Sequence, residues 1–183
     1  GDLSLINTRT FKTLRIPLSL HGETVEPMYV NHWRDGGDGS ANRVFIGDRA
    51  NNRIIALNDV TYQVAGTIET GAGVYHQWIQ PNGHQLWVVS DIDNTLSVID
   101  PWAMDQIIRL WIPAELTALG GRPHDVFAND TYAYVTVVGL KGGNKLLRYN
   151  TWDFALSAQI DIAGGEHVFA QGNKLYVVSQ SDE

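Results

Sequence analysis

Hydrophobic and polar residues alternate along this chain in short runs, and turn-forming residues cut the runs every few positions. His76-Gln77-Trp78-Ile79-Gln80 is followed by the tight turn Pro81-Asn82-Gly83 and then by Leu86-Trp87-Val88-Val89. Asp91-Ile92-Asp93-Asn94 turns the chain into Leu96-Ser97-Val98-Ile99, and Asp100-Pro101 turns it again into Ile107-Ile108-Arg109-Leu110. Runs of this length, bounded by Gly, Pro, Asn and Asp, predict strands joined by short hairpins. Val44-Phe45-Ile46, Ala133-Tyr134-Val135 and Leu175-Tyr176-Val177-Val178 predict the equivalent second strands elsewhere. Several runs are apolar without a break, which predicts sheets covered on both faces.

The same segment recurs four times. Leu5-Ile6-Asn7-Thr8-Arg9-Thr10-Phe11, Ala56-Leu57-Asn58-Asp59-Val60-Thr61-Tyr62, Val98-Ile99-Asp100-Pro101-Trp102-Ala103-Met104 and Arg148-Tyr149-Asn150-Thr151-Trp152-Asp153-Phe154 each carry an apolar residue, then Asn or Asp, three turn residues and a large apolar residue. Asn7, Asn58, Asp100 and Asn150 stand 51, 42 and 50 residues apart, and passing from Asn150 through Glu183 to Asn7 adds an interval of 40. A period of about 45 residues filled by short strands is the sequence signature of a β-propeller in which each repeat is one four-stranded blade. The expected fold is therefore all-β, a propeller of four repeats in a single domain spanning residues 1–183. Two insertions interrupt the period: Arg34 to Ser40 lengthens one hairpin, and Pro113 to Gly120 lengthens a link and reads as a short helical turn.

The phase of the two ends predicts how the ring closes. Leu175 to Val178 reads as a second strand and Leu3 to Ile6 as a third, so the join from Leu175 to Asn7 copies Leu86 to Asp100. One blade made from both termini would cover otherwise open strand edges. Four repeats fit a closed ring, half of an eight-bladed dimer or a portion of a larger propeller, so a monomer or a homodimer is expected.

Composition narrows the partners. Thirteen Lys and Arg against 20 Asp and Glu give a net charge of -7, and the basic residues are scattered singly. Nucleic acid and anionic membranes need a dense basic face, so neither is an expected partner. No apolar run approaches the roughly 20 residues of a membrane span. Cysteine is absent, which excludes a disulfide framework and thiolate metal sites. No nucleophile elbow, phosphate-binding glycine loop or zinc-protease motif is present.

Leu96-Ser97-Val98-Ile99-Asp100, the later Gly121-Arg122-Pro123-His124-Asp125, Pro81-Asn82-Gly83 and Leu175-Tyr176-Val177-Val178 together resemble the YVTN-type β-propeller repeat. The resemblance spans the chain in degenerate copies, with Pro-His kept only at Pro123-His124 and Pro-x-Gly only at Pro81-Asn82-Gly83. It implies a secreted, periplasmic or cell-surface propeller used mainly for binding, ordinarily with more blades than four.

Aligning the repeats on their first strands places His76, His124 and His167 in one column, with Met28 in the fourth repeat. Such a column rings one mouth of the central channel, so these residues are the candidate metal ligands, and neutral imidazole suits Cu, Zn or Fe. Tyr29, Asp125 and Glu166, each beside an aligned position, complete the candidate ligand-binding set with Met28; Gln77 stands beside His76. The same column has a structural reading, in which each imidazole caps a backbone group between blades. Acidic turns at Asp35 to Gly39, Asp48 to Asn52 and Asp91 to Asn94 offer oxygens for Ca²⁺, but also the Asp and Asn that tight turns require. Trp78 is expected in the core between blades, and Trp102 and Trp152 in equivalent outer turns. The expected function is a propeller binding or scaffold module taking a small molecule or protein ligand at the channel mouth. The alternative is a metal-dependent enzyme or redox protein using three histidines on the axis.

Overall fold

The computed structural model describes residues 1–179. Its strands are β1 (Asp2–Ile6), β2 (Thr13–Pro17), β3 (Pro27–Trp33), β4 (Arg43–Asp48), β5 (Arg53–Asn58), β6 (Val64–Glu69), β7 (Val74–Ile79), β8 (Leu86–Ser90), β9 (Thr95–Asp100), β10 (Asp105–Trp111), β11 (Arg122–Ala128), β12 (Tyr132–Val138), β13 (Asn144–Asn150), β14 (Leu156–Ile162), β15 (Gly165–Gln171) and β16 (Lys174–Ser179). Every pairing is antiparallel and joins strands consecutive in sequence. β3 to β6, β7 to β10 and β11 to β14 form three complete four-stranded blades, and the hairpins β1–β2 and β15–β16 supply the strands of a fourth. A single helical turn, α1 (Ala114–Ala118), occupies the predicted insertion and buries Leu116.

Alternation places the core between blades. On β8, Leu86 and Val88 face the cluster of Trp33, Phe45, Ile54 and Ile68 from the preceding blade. Trp87 and Val89 face the opposite way, against Val126, Val135, Val137 and Leu147 of the following blade. This is the period-two geometry of a strand buried on both faces. Leu3 of the first hairpin joins a further cluster with Ile46, Ile55 and Leu57, and Leu175 and Val177 of the last hairpin join one with Phe127 and Leu146. The stack is thus continuous from one terminal hairpin to the other.

The recurrent segment is a hairpin turn. The side-chain oxygens of Asn7, Asn58 and Asp100 each accept hydrogen bonds from backbone amides two and three residues on. The chain then needs one residue in the left-handed region, and the four large apolar residues Phe11, Tyr62, Met104 and Phe154 supply it, with φ between 54° and 60°. Such a conformation is uncommon for a bulky side chain. Packing offsets it where Met104 and Phe154 lie against the inter-blade clusters.

The pairing expected to close one blade from the two ends is not observed among the described residues, which end at Ser179. Among the described residues β16 pairs with β15 alone and β1 with β2 alone. Phe169, Tyr176 and Val178 at one end, and Leu5, Ile6 and Leu14 at the other, are exposed. The repeat pattern specifies strands within a blade, whereas joining two half-blades requires contacts that the pattern does not encode. No helix among the described residues is long and apolar enough to cross a membrane.

Candidate functional site

The four inner strands β3, β7, β11 and β15 lie side by side, and each is interrupted at the same place by one bulged residue. Met28 pairs with Gly47 and Val30 with Ile46, which leaves Tyr29 outside the ladder. Tyr75, His124 and Glu166 are left out in the same way on β7, β11 and β15. A bulge sets two residues against one on the partner strand and breaks the alternation of side chains. The register therefore groups Tyr29, Tyr75, His124 and Glu166 at the bulge, and Val30, His76, Asp125 and His167 one place after it. This corrects the column drawn from the sequence. His76 and His167 are equivalent, but His124 stands one place earlier and Met28 two. Trp78 is likewise equivalent to His32, Phe127 and Phe169.

Asp125 is the hub of the site. Its side chain is buried and its Oδ1 lies 2.7 Å from the Nδ1 of His76, on the neighbouring blade, while its Oδ2 lies 3.4 Å from the Nδ1 of His167, on the other. The His76 approach is a close electrostatic contact without the direction of a hydrogen bond. Directed bonds come from the Val126 amide to Oδ1 at 2.8 Å and from the Val168 amide to Oδ2 at 2.9 Å. Burial alone would raise the Asp125 pKa; the His76 imidazole and the two amides outweigh it and hold the carboxyl below its ordinary value.

Aromatic contacts extend the arrangement around the mouth. The rings of Tyr29 and His76 are 3.8 Å apart, those of Tyr75 and His124 4.8 Å, and those of His124 and His167 5.3 Å. Burial raises the Tyr29 pKa, and the Asp125 charge adds to the effect. Burial, and then the neighbouring His167, lower the pKa of His124, so its neutral form is favoured. The Thr136 hydroxyl donates to the Glu166 carbonyl oxygen at 2.6 Å and accepts from the Asp125 amide at 3.0 Å, tying two inner strands together.

An open cavity of about 420 Å³ lies at this mouth, lined by Met28, Tyr29, Tyr75, His76, Trp78, Asp125, His167 and Val168. The Nε1 of Trp78 is buried with no hydrogen-bond partner among the described residues. The candidates divide into two groups. Met28, Tyr29, His76, Asp125 and His167 share the cavity, while His124 and Glu166 cluster with His167 beside it. His76 is not in that cluster. Gln77 faces away from the mouth into the core and donates to the Phe45 carbonyl oxygen at 2.8 Å.

The acidic turns have internal partners. Asp35 and Asp38 accept from loop amides, Asp48 accepts from Asn51 and Arg53, Asp91 pairs with Arg49, and Asp93 accepts from the Thr95 hydroxyl and the Ala72 amide. Trp102 and Trp152 are exposed at the outer turns. Tyr75, the Thr136 hydroxyl and the hub role of Asp125 were missed by the sequence reading. The signal at the inner strands was a doublet: Tyr29-Val30, Tyr75-His76, His124-Asp125 and Glu166-His167 interrupt the alternation at one recurring place.

No family model matches the chain, and no curated protein does. Solved β-propellers resemble it. A catalytically inactive virginiamycin B lyase from Staphylococcus aureus, solved with quinupristin, superposes with a TM-score of 0.71 at 15% identity over 97% of this chain and 56% of its own. A protein from Lactobacillus plantarum gives 0.71 at 15% identity, over 99% of this chain and 58% of its own. A β-propeller domain from Myceliophteria thermophila gives 0.68 at 10% identity, over 92% of this chain and 57% of its own. The likeness is one of fold alone. The chain spans between 56% and 58% of the length of these three structures.

Proposed function

We propose that this chain is a propeller binding module whose ligand site is the axial cavity around Asp125. The observation that carries the reading is the combination of a cavity of about 420 Å³, aromatic walls and a buried, unpartnered Trp78 N–H. Concave sites with mostly apolar walls and a few convergent polar groups are the usual form of small-molecule sites. The rings of Tyr29, Tyr75 and Trp78 favour a flat or aromatic ligand, and the Trp78 donor asks for an acceptor oxygen. The Asp125 carboxylate and the net charge of -7 disfavour an anion. A neutral aromatic amide meets all three conditions. The YVTN-type resemblance, carried by Val98-Ile99-Asp100 and Pro123-His124, supports placing the protein outside the cytoplasm: secreted, periplasmic or at the cell surface.

Titration calorimetry with benzamide and related neutral aromatic amides tests the reading. Saturable binding is expected in the wild type and is lost in His76→Ala and Trp78→Phe, while Trp102→Ala, at an outer turn, binds as the wild type does. Absence of saturable binding at millimolar probe, or binding unchanged in both cavity variants, overturns it.

A further inference from the structure

Beside the cavity, two neighbouring inner strands bring three metal-ligating side chains together. One ligand atom each from His124, Glu166 and His167 lie within 4.8 Å of one another. The bulges create this convergence. His124 is the bulged residue of β11 and Glu166 that of β15, and His167 follows its bulge directly. Consecutive residues of a regular strand point to opposite faces. At the β15 bulge, Glu166 and His167 instead reach the same place.

We propose that His124, Glu166 and His167 bind one divalent transition-metal ion, zinc being the best match, with the remaining coordination position open toward the axial cavity. The proposal rests on the cavity reading only for what the open position faces. Two imidazoles and one carboxylate form a donor set that suits zinc with an open position. Nitrogen donors disfavour Ca²⁺ and Mg²⁺, which take oxygen. The ligand set differs from three histidines, because Glu166 stands where His76 was expected.

The surroundings are those of a built site. The Nδ1 of His167 lies 3.4 Å from Asp125 Oδ2, a contact that leaves its Nε2 to face a metal. Asp125 is itself fixed by the amides of Val126 and Val168. The Thr136 hydroxyl pins the Glu166 backbone at the bulge. Among the described residues, no ion pair or side-chain hydrogen bond occupies the Glu166 carboxylate or the His124 ring. Zinc bonds of about 2.0–2.1 Å require the three ligand atoms to draw closer than they stand. His167 is exposed, the least confined of the three.

The test uses the full chain, prepared without an affinity tag and stripped by chelator, titrated with zinc chloride in a calorimeter; retained metal is then counted by mass spectrometry after dialysis. One zinc per chain is expected. Glu166→Gln and His124→Ala should each lower the affinity at least about tenfold, and Asp125→Asn, acting through His167, by about 10–100-fold. His32→Ala, which removes a histidine outside the site, should bind as the wild type does. Cobalt loaded in place of zinc should give visible absorption bands that disappear in His124→Ala. Absence of stoichiometric zinc, or equal affinity in wild type, Glu166→Gln and His124→Ala, overturns the proposal. Should His124→Ala fail to fold, Glu166→Gln decides alone, because it keeps the shape of the side chain. No organic probe is present, so the outcome is independent of what the cavity binds.

Discussion

His76 and Asp125 hold the same register position on adjacent inner strands, one place after the bulge, and approach each other to 2.7 Å. A single repeat position has thus become an imidazole on one blade and a carboxylate on the next. The pair couples the candidate site to the fold, because the same carboxylate also accepts the amides of Val126 and Val168.

Replacing Asp125 should therefore cost stability as well as binding. Asp125→Ala leaves two buried amides without acceptors, at about 1–3 kcal/mol each. Asp125→Asn keeps one acceptor oxygen and should lose about half as much. Urea unfolding of the three proteins measures the difference, and an Ala variant as stable as the wild type would contradict the hub role.

The turn residues in the left-handed region should respond to glycine according to their packing. Phe11 has a φ of 54° and is 78% exposed, so Phe11→Gly removes strain and little contact. A gain of about 0.5–1 kcal/mol is expected after glycine's greater entropy in the unfolded chain is counted. Phe154 has a φ of 60° but packs against Trp87 and its cluster, so Phe154→Gly should lose about 2 kcal/mol or more. Thermal melting of both variants checks the opposite signs.

Asp59 accepts from His32 at 2.9 Å and from Asn42 at 3.1 Å, and the His32 contact chiefly lowers its pKa in the folded chain. The unfolded chain binds this proton more readily. The stability that Asp59 contributes is therefore complete above its ordinary value of 3.8 and is lost as the pH falls through the lowered folded value. The stability difference between wild type and Asp59→Asn should stay constant above about pH 5 and shrink below it. Chemical unfolding at a series of acid pH values would show a constant difference throughout if the contact carried no weight.

Among the described residues, the two ends of the stack present strand edges without a partner and exposed apolar side chains, among them Val178, Tyr176 and Ile6. Such edges recruit further strands. Sedimentation of the chain should reveal concentration-dependent species heavier than the 20.3 kDa monomer, reduced by Val178→Lys. A monomer at every concentration, unaffected by that charge, would show that the edges are covered in solution.

Much of the fold was legible because its signals are local. Asn7, Asn58 and Asp100 cap their own turns, and the alternation on β8 reports two buried faces without reference to any other strand. The site was less legible because a bulge is a shift of one residue, which an alignment by residue type absorbs unseen. Placing His124 in a column with His76 and His167 shifts it by that one residue, and so separates it from Glu166, its equivalent in the register. Asp125 reads from the sequence as one of four ligand-binding candidates, and the fold sets it between His76 and His167 of the two neighbouring blades. Closure is less legible for another reason: a pairing of β16 with β1 depends on the curvature of the whole stack, which no segment of sequence carries.

The recurring bulge has a consequence for how such a molecule changes. The bulged residue contributes nothing to the ladder at its own position, and the inter-blade clusters are built from other positions. Tyr29, Tyr75, His124 and Glu166 already show that a phenol, an imidazole and a carboxylate fit the same socket on successive blades. The chemistry of the mouth can thus be rewritten one blade at a time by single substitutions, while the architecture that aims those residues at the axis stays the same.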